Sequence, residues 1–270
     1  MGLKRDKISV VMGVYNAEKT IADSIESVLN QTYKNLELIM CDDGSSDNTV
    51  EIINYYMKKD SRIKLLKNEV NKGLAYSLNR CIELADGEFI ARHDADDLCI
   101  LSRLEKQIKY FREHEKDISL VGSAVEYFDS NGVWGNHYIK EFPNKIDIFK
   151  ASMFSHPTIL VKRKVLDEVG YYTVSDITYR TEDYDLFAKI YSKGYRGANI
   201  QEILFKVKRD KDAYNRRKFK FRIDESRCKY KAYKILGMNL SKIYIVIIPL
   251  IKGAIPVQAF RIYHKFKFKR

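Results

Sequence analysis

Three acidic clusters in this 270-residue sequence have residue types that could bind a cation or move a proton. They are Asp42–Asp43, Asp94–Asp97 and Glu182–Asp183. The first two directly follow apolar segments of strand length, LELIMC and EFIARH, which predicts carboxylates at the ends of two strands. Because the carboxyl ends of parallel strands open into one crevice, we expect these two clusters to face a common ligand.

The D-A-D-D sequence at Asp94–Asp97 suits a divalent cation bound to a diphosphate. Mg²⁺ and Mn²⁺ prefer carboxylate and phosphate oxygens, and an ion that already binds a diphosphate needs only one or two protein carboxylates. The ion would neutralise charge on a departing diphosphate. Acidic residues are also common in turns, so a structural role stays open for this cluster taken alone. Its position directly after a predicted buried strand favours the metal site.

Asp183 is a candidate proton acceptor. A structural role is the alternative, since Thr181 could cap a helix whose first turn favours acidic side chains. The functional interpretation uses the same physics, because a helix N-terminus holds a carboxylate ionised and an ionised carboxylate can accept a proton from a hydroxyl group.

Strand and helix signals alternate through the first hundred residues and position these clusters. Four apolar segments are each followed by a segment in which apolar residues recur at helical spacing. The predicted strands cover residues 7–15, 36–41, 62–67 and 88–93. This alternation predicts an α/β fold with a mostly parallel central sheet, right-handed crossovers and flanking helices.

The pattern changes beyond about residue 118. Longer strands around the turns DSNG and WGNH are more antiparallel in character. Helical signals then return near residues 144–152, 163–169 and 181–193.

The charge of the chain is unevenly distributed. Hydrophobic residues make up 45% and charged residues 31%, which excludes a disordered protein. The net charge is +12, yet residues 206–270 contain 20 Lys or Arg and 4 Asp or Glu and carry +16, so residues 1–205 carry −4. We therefore predict a catalytic domain at 1–205 and a basic, mainly helical C-terminal segment at 206–270.

The basic segment mixes cations with Tyr and Phe and contains one apolar stretch, IYIVIIPLI. A membrane span needs about 20 apolar residues, and Lys252, Gly253, Pro249 and Pro256 interrupt this one. The segment predicts contact with an anionic membrane surface, where apolar residues enter the headgroup region and cations meet anionic lipid. The alternative is a helical appendage that packs on the domain.

The cysteines and the N-terminal residues predict the cellular compartment of the protein. The four cysteines are widely spaced without a C-x-x-C pair, which favours reduced thiols in the cytosol. No long apolar stretch follows the first basic residues, so no cleavable signal peptide is predicted. With the basic segment, this predicts a cytoplasmic protein at the inner face of the cell membrane.

From Ile8 to about Ile190 the sequence resembles a family 2 glycosyltransferase with the GT-A fold. The matching stretches, in order, are VVMGVYN, SVLNQTYKNLELIMCDDGSSDNT, NKGLAYSLNRCIELADGEFIARHDADD, SHPT and TEDYDLF. Their order and spacing cover about two-thirds of the chain, which makes the resemblance specific. It does not extend into residues 206–270.

The resemblance implies an inverting, metal-dependent enzyme. Such an enzyme uses Mn²⁺ or Mg²⁺ and moves a sugar from a nucleotide diphosphate, here most simply a UDP sugar. The acceptor would be a hydroxyl group of a glycan or lipid-linked glycan, as in cell-surface polysaccharide synthesis.

The same resemblance implies a role for individual residues. The nucleotide would contact Gly13, Tyr15, Asp43, Asp94 and Asp96. The metal ion would be bound by Asp96 and Asp97. Asp183 would be the catalytic base with Glu182 beside it. Arg92 would lie near the diphosphate, while Lys72 and Arg80 fit either the diphosphate or a solvated basic face. His156 would lie on the acceptor side or be a hydrogen-bonded structural histidine.

Three other function classes compete with this interpretation. A nucleic-acid-binding protein would explain the interleaved cations and aromatics, but the charge lies only in the C-terminal segment, so no nucleic acid partner is expected. A nucleotidyltransferase would need a glycine-rich basic loop, which VVMGVYNAEKT matches poorly. A non-catalytic nucleotide-binding scaffold would not require Asp183.

Overall fold

The computed structural model describes residues 4–114, 117–149, 152–209 and 219–254. Within these ranges nine strands form one sheet and eight α-helices accompany it. The strands are β1 Lys4–Val14, β2 Leu36–Asp42, β3 Ile63–Lys67, β4 Gly87–Arg92, β5 Leu98–Cys99, β6 Leu120–Asp129, β7 Gly132–His137, β8 Leu160–Lys162 and β9 Gly197–Lys208. The helices are α1 Ile21–Leu29, α2 Thr49–Lys59, α3 Leu74–Leu84, α4 Arg103–Glu113, α5 Arg163–Val169, α6 Glu182–Ser192, α7 Phe219–Ile235 and α8 Tyr244–Ala254.

The first half of the sheet is parallel. Its strands lie in the order β3-β2-β1-β4, and each neighbouring pair runs in the same direction. The register sets Val14 beside Asp42 and Val11 beside Arg92. The carboxyl ends of β1, β2 and β4 therefore meet at one edge of the sheet, as the sequence predicts.

The second half of the sheet is mixed. β8 pairs antiparallel with β4 and β6, β7 forms an antiparallel hairpin with β6, and β9 runs parallel to β6. The α/β prediction is confirmed, and the sheet is mixed, since four of the eight described pairings are parallel and four, each with five residue pairs or fewer, are antiparallel. The two-residue turn between β6 and β7 explains part of this, since a short turn can only join antiparallel strands.

Two hydrophobic clusters cover the two faces of the sheet. Alternate residues of β1 point to opposite faces, so Val10 and Met12 join one cluster and Val11 the other. The first cluster includes the buried faces of α1, α2 and α4. The second includes those of α3, α5, α6 and α7. The sheet is thus the middle layer between two layers of helices.

The C-terminal segment begins inside the sheet. β9 runs to Lys208, so the predicted division between residues 205 and 206 falls within a strand. Ala232 and Tyr233 of α7 and Ile245 of α8 belong to a core cluster of the α/β layers. The remainder of the predicted basic segment, residues 210–218 and 255–270, lies outside the described residues. In the described ranges every helix falls short of the length and hydropathy needed to cross a bilayer.

Candidate active site

A cavity of about 560 Å³ opens at the carboxyl ends of β1 and β2. Gly13, Tyr15 and Asp43, all predicted nucleotide contacts, line it together with Lys72. A Cβ atom on Gly13 would approach Leu74 Cδ1 to 2.8 Å, so a larger residue there would require the Leu74 side chain to move. Asp43 rather than its neighbour Asp42 reaches the cavity.

The carboxylate of Asp43 is held by the loop before α3. It accepts hydrogen bonds from Asn68 Nδ2 at 2.7 Å and from the backbone N–H groups of Lys72 and Gly73, both at 2.8 Å. Gly73 has a φ of 88°, in the region that favours glycine. A carboxylate has about four acceptor positions, so roughly one of them remains for a ligand.

The loop before α6 forms a further part of the cavity wall. Val174, Ser175, Asp176, Thr178, Tyr179 and Arg180 contribute to this wall, and Glu182 completes it. Sequence patterns missed this loop because it contains no periodic segment and no motif. Of the two cations considered, Lys72 lines the cavity, whereas Arg80 donates to Lys67 O and Asn68 Oδ1 beneath Asp43.

The acidic cluster after β4 could hold a cation. One carboxylate oxygen from each of Asp94, Asp96 and Asp97 lies within 4.8 Å of the others. Asp97 is 1% exposed; its Oδ1 accepts from the backbone N–H of Lys208 at 2.8 Å, and its Oδ2 has no hydrogen-bond partner among the described residues. Burial, followed by the charges of Asp94 and Asp96, raises the pKa of Asp97 to about 8.

This arrangement fits a divalent cation. A buried carboxylate oxygen without a donor, beside two further carboxylates, is electrostatically unfavourable unless positive charge is supplied. Oxygen ligands of this kind are those that Mg²⁺ and Mn²⁺ prefer. The geometry adds Asp94 to the two predicted metal ligands, so the three carboxylates form one candidate site.

Arg92 lies between the acidic cluster and the start of α6. Its side chain is 3% exposed and forms an ion pair with Asp94. Its charge also opposes the effect of burial on the pKa of Glu182 and of Asp183. Arg92 is therefore close to both carboxylate groups, consistent with its predicted place near a diphosphate.

Glu182 and Asp183 occupy the first turn of α6. Burial and the charge of Asp183 raise the pKa of Glu182 to about 7. Burial also raises the pKa of Asp183, and this outweighs the lowering by the backbone N–H of Tyr184, which donates to Oδ1 at 2.7 Å, and by Arg92. The sequence predicts that the helix N-terminus favours the ionised form of Asp183; the Tyr184 N–H does so, but its effect on the pKa is smaller than that of desolvation. The result is a stronger base than an exposed aspartate.

His156 supports this region through Tyr172. Its Nε2 lies 2.8 Å from the Tyr172 hydroxyl, and burial, with the charge of Arg92, lowers its pKa well below the usual value. A neutral histidine in this position orients Tyr172. Burial raises the pKa of Tyr172, the charge of Arg92 lowers it, and the charge of Asp183 raises it. Tyr172 is a site residue that sequence patterns missed, because it lies in a turn between α5 and α6.

The structure thus brings all three acidic clusters to one side of the sheet. Asp43 and Glu182 line the same cavity. Arg92 links the region of Glu182 and Asp183 to the Asp94–Asp97 cluster. Asp183 itself does not line the cavity, and lies one residue further into α6.

Comparisons with known proteins identify the family of the chain. The family described as Glycosyl transferase family 2 matches residues 9–170. EpsE of Bacillus subtilis (strain 168) is 42% identical over 260 residues, which cover 96% of this chain and 93% of that protein. The Escherichia coli enzyme UDP-Glc:alpha-D-GlcNAc-diphosphoundecaprenol beta-1,3-glucosyltransferase WfaP is 34% identical over 209 residues, covering 74% of this chain and 77% of that protein.

The fold is also found among solved structures. The crystal structure of S. aureus TarS 1-349 in complex with UDP-GlcNAc superimposes with a TM-score of 0.68 at 21% identity, and the match covers 92% of this chain and 71% of TarS 1-349. The GT-A prediction is therefore confirmed. Since the family match spans more than half of the sequence, the chain belongs to glycosyl transferase family 2 and is a glycosyltransferase.

Proposed function

We propose that the protein transfers a sugar from a nucleotide diphosphate, with inversion, to a glycan or lipid-linked glycan during polysaccharide biosynthesis. The observation that carries this proposal is the different environment of three carboxylate groups, of which Asp43 lines the cavity and Asp97 and Asp183 lie outside its lining. Asp43 is hydrogen-bonded by a loop, one oxygen of the buried Asp97 has no donor in the part of the chain that the structure describes, and Asp183 has a raised pKa. These environments suit base recognition, cation binding and proton transfer respectively.

The donor nucleotide would occupy the cavity beside β1. Tyr15 is 52% exposed and offers its ring to a nucleobase, while the remaining acceptor position of Asp43 would bind a base N–H group. A UDP sugar is the donor we propose, because WfaP is named for UDP-Glc and TarS 1-349 was crystallised with UDP-GlcNAc. Lys72 in the same cavity supplies a positive charge for the diphosphate.

The cation site would lie at the far end of the donor. Asp94, Asp96 and Asp97 would hold Mn²⁺ or Mg²⁺, which when bound neutralises charge on the diphosphate leaving group. Arg92 adds a permanent positive charge beside the same carboxylates. With the cation bound, Asp97 would be ionised, because a nearby opposite charge lowers a raised carboxylate pKa.

Asp183 would act as the base. Its carboxylate takes the proton from the acceptor hydroxyl group as that oxygen forms a bond to the anomeric carbon, and the bond from the anomeric carbon to the diphosphate breaks on the opposite side. One displacement of this kind inverts the anomeric configuration. Glu182 and Tyr172 would orient the acceptor or the base from the same region.

Thermal shift and product analysis test the proposal together. We expect UDP sugars to raise the melting temperature in the presence of Mn²⁺ and expect EDTA to remove the effect. Proton NMR of the product should show the anomeric configuration opposite to that of the donor. Retained configuration would eliminate the single-displacement mechanism, and stabilisation by GDP sugars alone would eliminate the assignment of a UDP donor.

A lipid surface is the proposed site of action, and α8 supplies the contact. Leu240, Tyr244, Ile247 and Ile251 are 49–78% exposed. Tyr244, Ile247 and Ile251 recur at i, i+3 and i+7, so they share one face of α8, while Ile245 is buried against the core. Combined with the +16 charge of residues 206–270, this exposed apolar face fits an anionic bilayer at the inner side of the cell membrane.

Point variants test this contact better than truncation, because α7 is part of the core. Ile247→Asp and Ile251→Asp should reduce flotation with vesicles that contain phosphatidylglycerol. Val133→Asp is the matched control, since Val133 is equally exposed at 56% but lies on the β6–β7 hairpin. Equal flotation of all three variants and the wild type would contradict the role of α8.

A further inference from the structure

Three side chains on one face of α7 contact the segment that carries the proposed base. Phe221, Cys228 and Lys231 are seven and three residues apart, which places them on one side of the helix. Their partners surround the start of α6 and are Arg180, Thr181 and Asp185. The C-terminal segment therefore abuts the active site directly.

Lys231 neutralises a buried carboxylate in the first turn of α6. Asp185 is 1% exposed; its Oδ1 lies 2.6 Å from Lys231 Nζ, and its Oδ2 accepts from Thr173 Oγ1 at 2.5 Å. Lys189 Nζ is further away, at 3.8 Å. An ionised carboxylate at this depth is costly without a close partner, so Lys231 holds Asp185, and with it the turn, in place.

The other two contacts act on the residues just before α6. The guanidinium carbon of Arg180 lies 4.6 Å from the ring centroid of Phe221, within range of a cation–π interaction. Arg180 has a φ of 69°, a backbone region that residues with side chains seldom adopt, and it lines the cavity. Cys228 Sγ lies 3.9 Å from the carbonyl oxygen of Thr181. Both contacts stabilise the loop in the conformation that forms the cavity wall.

We propose that α7 is a positioning element of the active site, in which Lys231 acts through Asp185 to set the position of the Asp183 carboxylate. This inference rests on the proposed role of Asp183 as the base. Lys231 touches neither the cavity nor Asp183, so its role is positioning rather than chemical. The basic segment then has a function in turnover that is separate from its contact with lipid.

Loss of the Lys231 charge should displace the Asp183 carboxylate but leave the pKa of Asp183 nearly unchanged. Without this partner, Asp185 would turn toward Lys189 or toward solvent, and the turn that contains Asp183 would move with it. A misplacement of about 1 Å can reduce a rate by about 10²-fold. The pKa of Asp183 depends on burial, the Tyr184 N–H and Arg92, so it should stay nearly unchanged.

Steady-state kinetics of full-length variants test the inference. Lys231→Met keeps the apolar stem and should lower kcat by about tenfold or more, with donor KM and the acid limb of the kcat–pH profile close to those of the wild type. Lys231→Arg should recover most of the loss, since it restores the charge. Lys220→Met removes one charge from an exposed position of the same helix and should leave kcat unchanged.

Several outcomes would overturn the inference. They include wild-type kcat in a folded Lys231→Met protein, and an equal loss in Lys220→Met. If Lys231→Met does not fold, Phe221→Leu applies the same test at the Arg180 contact; a folded Phe221→Leu protein should show reduced kcat, and full activity would reject the role of α7. An inactive Asp183→Asn with a fully active Lys231→Met would reject the positioning role alone, whereas a fully active Asp183→Asn would reject the base itself.

Discussion

The site has two regions whose carboxylates differ in their surroundings. At the carboxyl ends of β1 and β2, Asp43 accepts three hydrogen bonds from its own surroundings. After β4 and at the start of α6, one oxygen of Asp97 has no donor among the described residues, and burial raises the pKa of Asp97, Glu182 and Asp183. The nucleotide region is therefore complete in the protein alone, whereas the acidic cluster and α6 need a cation and a substrate to balance their charge.

The difference has a physical reason in the proposed reaction. Recognition of a base requires a fixed hydrogen-bonding pattern, which the Asp43 loop supplies before the donor binds. Cation binding and proton transfer both require carboxylates whose charge is poorly compensated, because strong compensation would weaken their affinity for a metal or a proton. Substitutions in the two regions should therefore have opposite effects on stability and on turnover.

The largest effect is expected for Asp183→Asn. Loss of the base should lower kcat by about 10² to 10⁴-fold, the usual contribution of general base catalysis. UDP affinity should stay close to that of the wild type, because Asp183 does not line the nucleotide cavity. Calorimetry with UDP and a coupled assay for UDP release measure the two quantities.

Asp23→Asn is the matched control for that variant, since Asp23 is an exposed aspartate in the first turn of α1 and does not line the cavity. It should leave kcat within about twofold, as expected for a surface substitution. Comparable activity in Asp183→Asn and the wild type would remove the distinction between the two regions.

Asp97→Asn should separate stability from function. The substitution removes a buried charge and keeps the Oδ1 acceptor for the Lys208 N–H, so the metal-free protein at pH 8 should melt at a higher temperature than the wild type. The rise in melting temperature on addition of Mn²⁺ should disappear, and transfer activity should fall. A metal-induced rise equal to that of the wild type would place the cation elsewhere.

Asp43→Asn should act in the opposite direction on stability. Both carboxylate oxygens of Asp43 accept hydrogen bonds, from Lys72 N–H, Gly73 N–H and Asn68 Nδ2. Only the oxygen of an asparagine side chain can accept, so at least one of these donors loses its partner. Such a loss costs about 1–3 kcal/mol in the free energy of unfolding. UDP affinity should weaken, while kcat at saturating donor should change little. Urea unfolding that matches the wild type would contradict the account of this loop.

The most gradual effect is the pH dependence of metal-free stability. The folded pKa of Glu182 is about 7 and that of Asp97 about 8, both above the values near 4 of an unfolded chain. Between these values the folded state retains protons that the unfolded state releases, so stability is lost as the pH rises from about 4 through 8. Urea unfolding in EDTA should show this slope, and Glu182→Gln should flatten it between pH 4 and 7; an unchanged slope would contradict the burial of that carboxylate.

The sequence predicted the first part of the fold well for a local reason. Strands such as Leu36–Asp42 are apolar throughout and lie between two helical layers, so periodicity alone identifies them. The ends of these strands then place Asp43 and Asp94–Asp97 without further information. The sheet order beyond β4 was not predictable in this way, because the pairing of β8 between β4 and β6 depends on long-range contacts.

The second part of the site depends on contacts that leave no local pattern. The cavity wall at 174–180 lies in a loop, and Tyr172 lies in a turn. The Asp185 carboxylate accepts from Thr173, 12 positions away, and from Lys231, 46 positions away on a helix of low amphipathicity. The sequence signal at TEDYDLF found the helix that carries Asp183. It could not reveal that α7 supports that helix, since Lys231 is one of many lysines in a basic segment.

A crystal structure of the protein with UDP and Mn²⁺ tests the central claim most directly. We predict the uracil ring beside Tyr15 and Asp43, and a metal ion bound to the diphosphate and to oxygen atoms of the Asp94–Asp97 cluster, with the Asp183 carboxylate facing the sugar side of the diphosphate. A nucleotide bound outside this cavity, or a metal ion with no ligand from Asp94, Asp96 or Asp97, would contradict it.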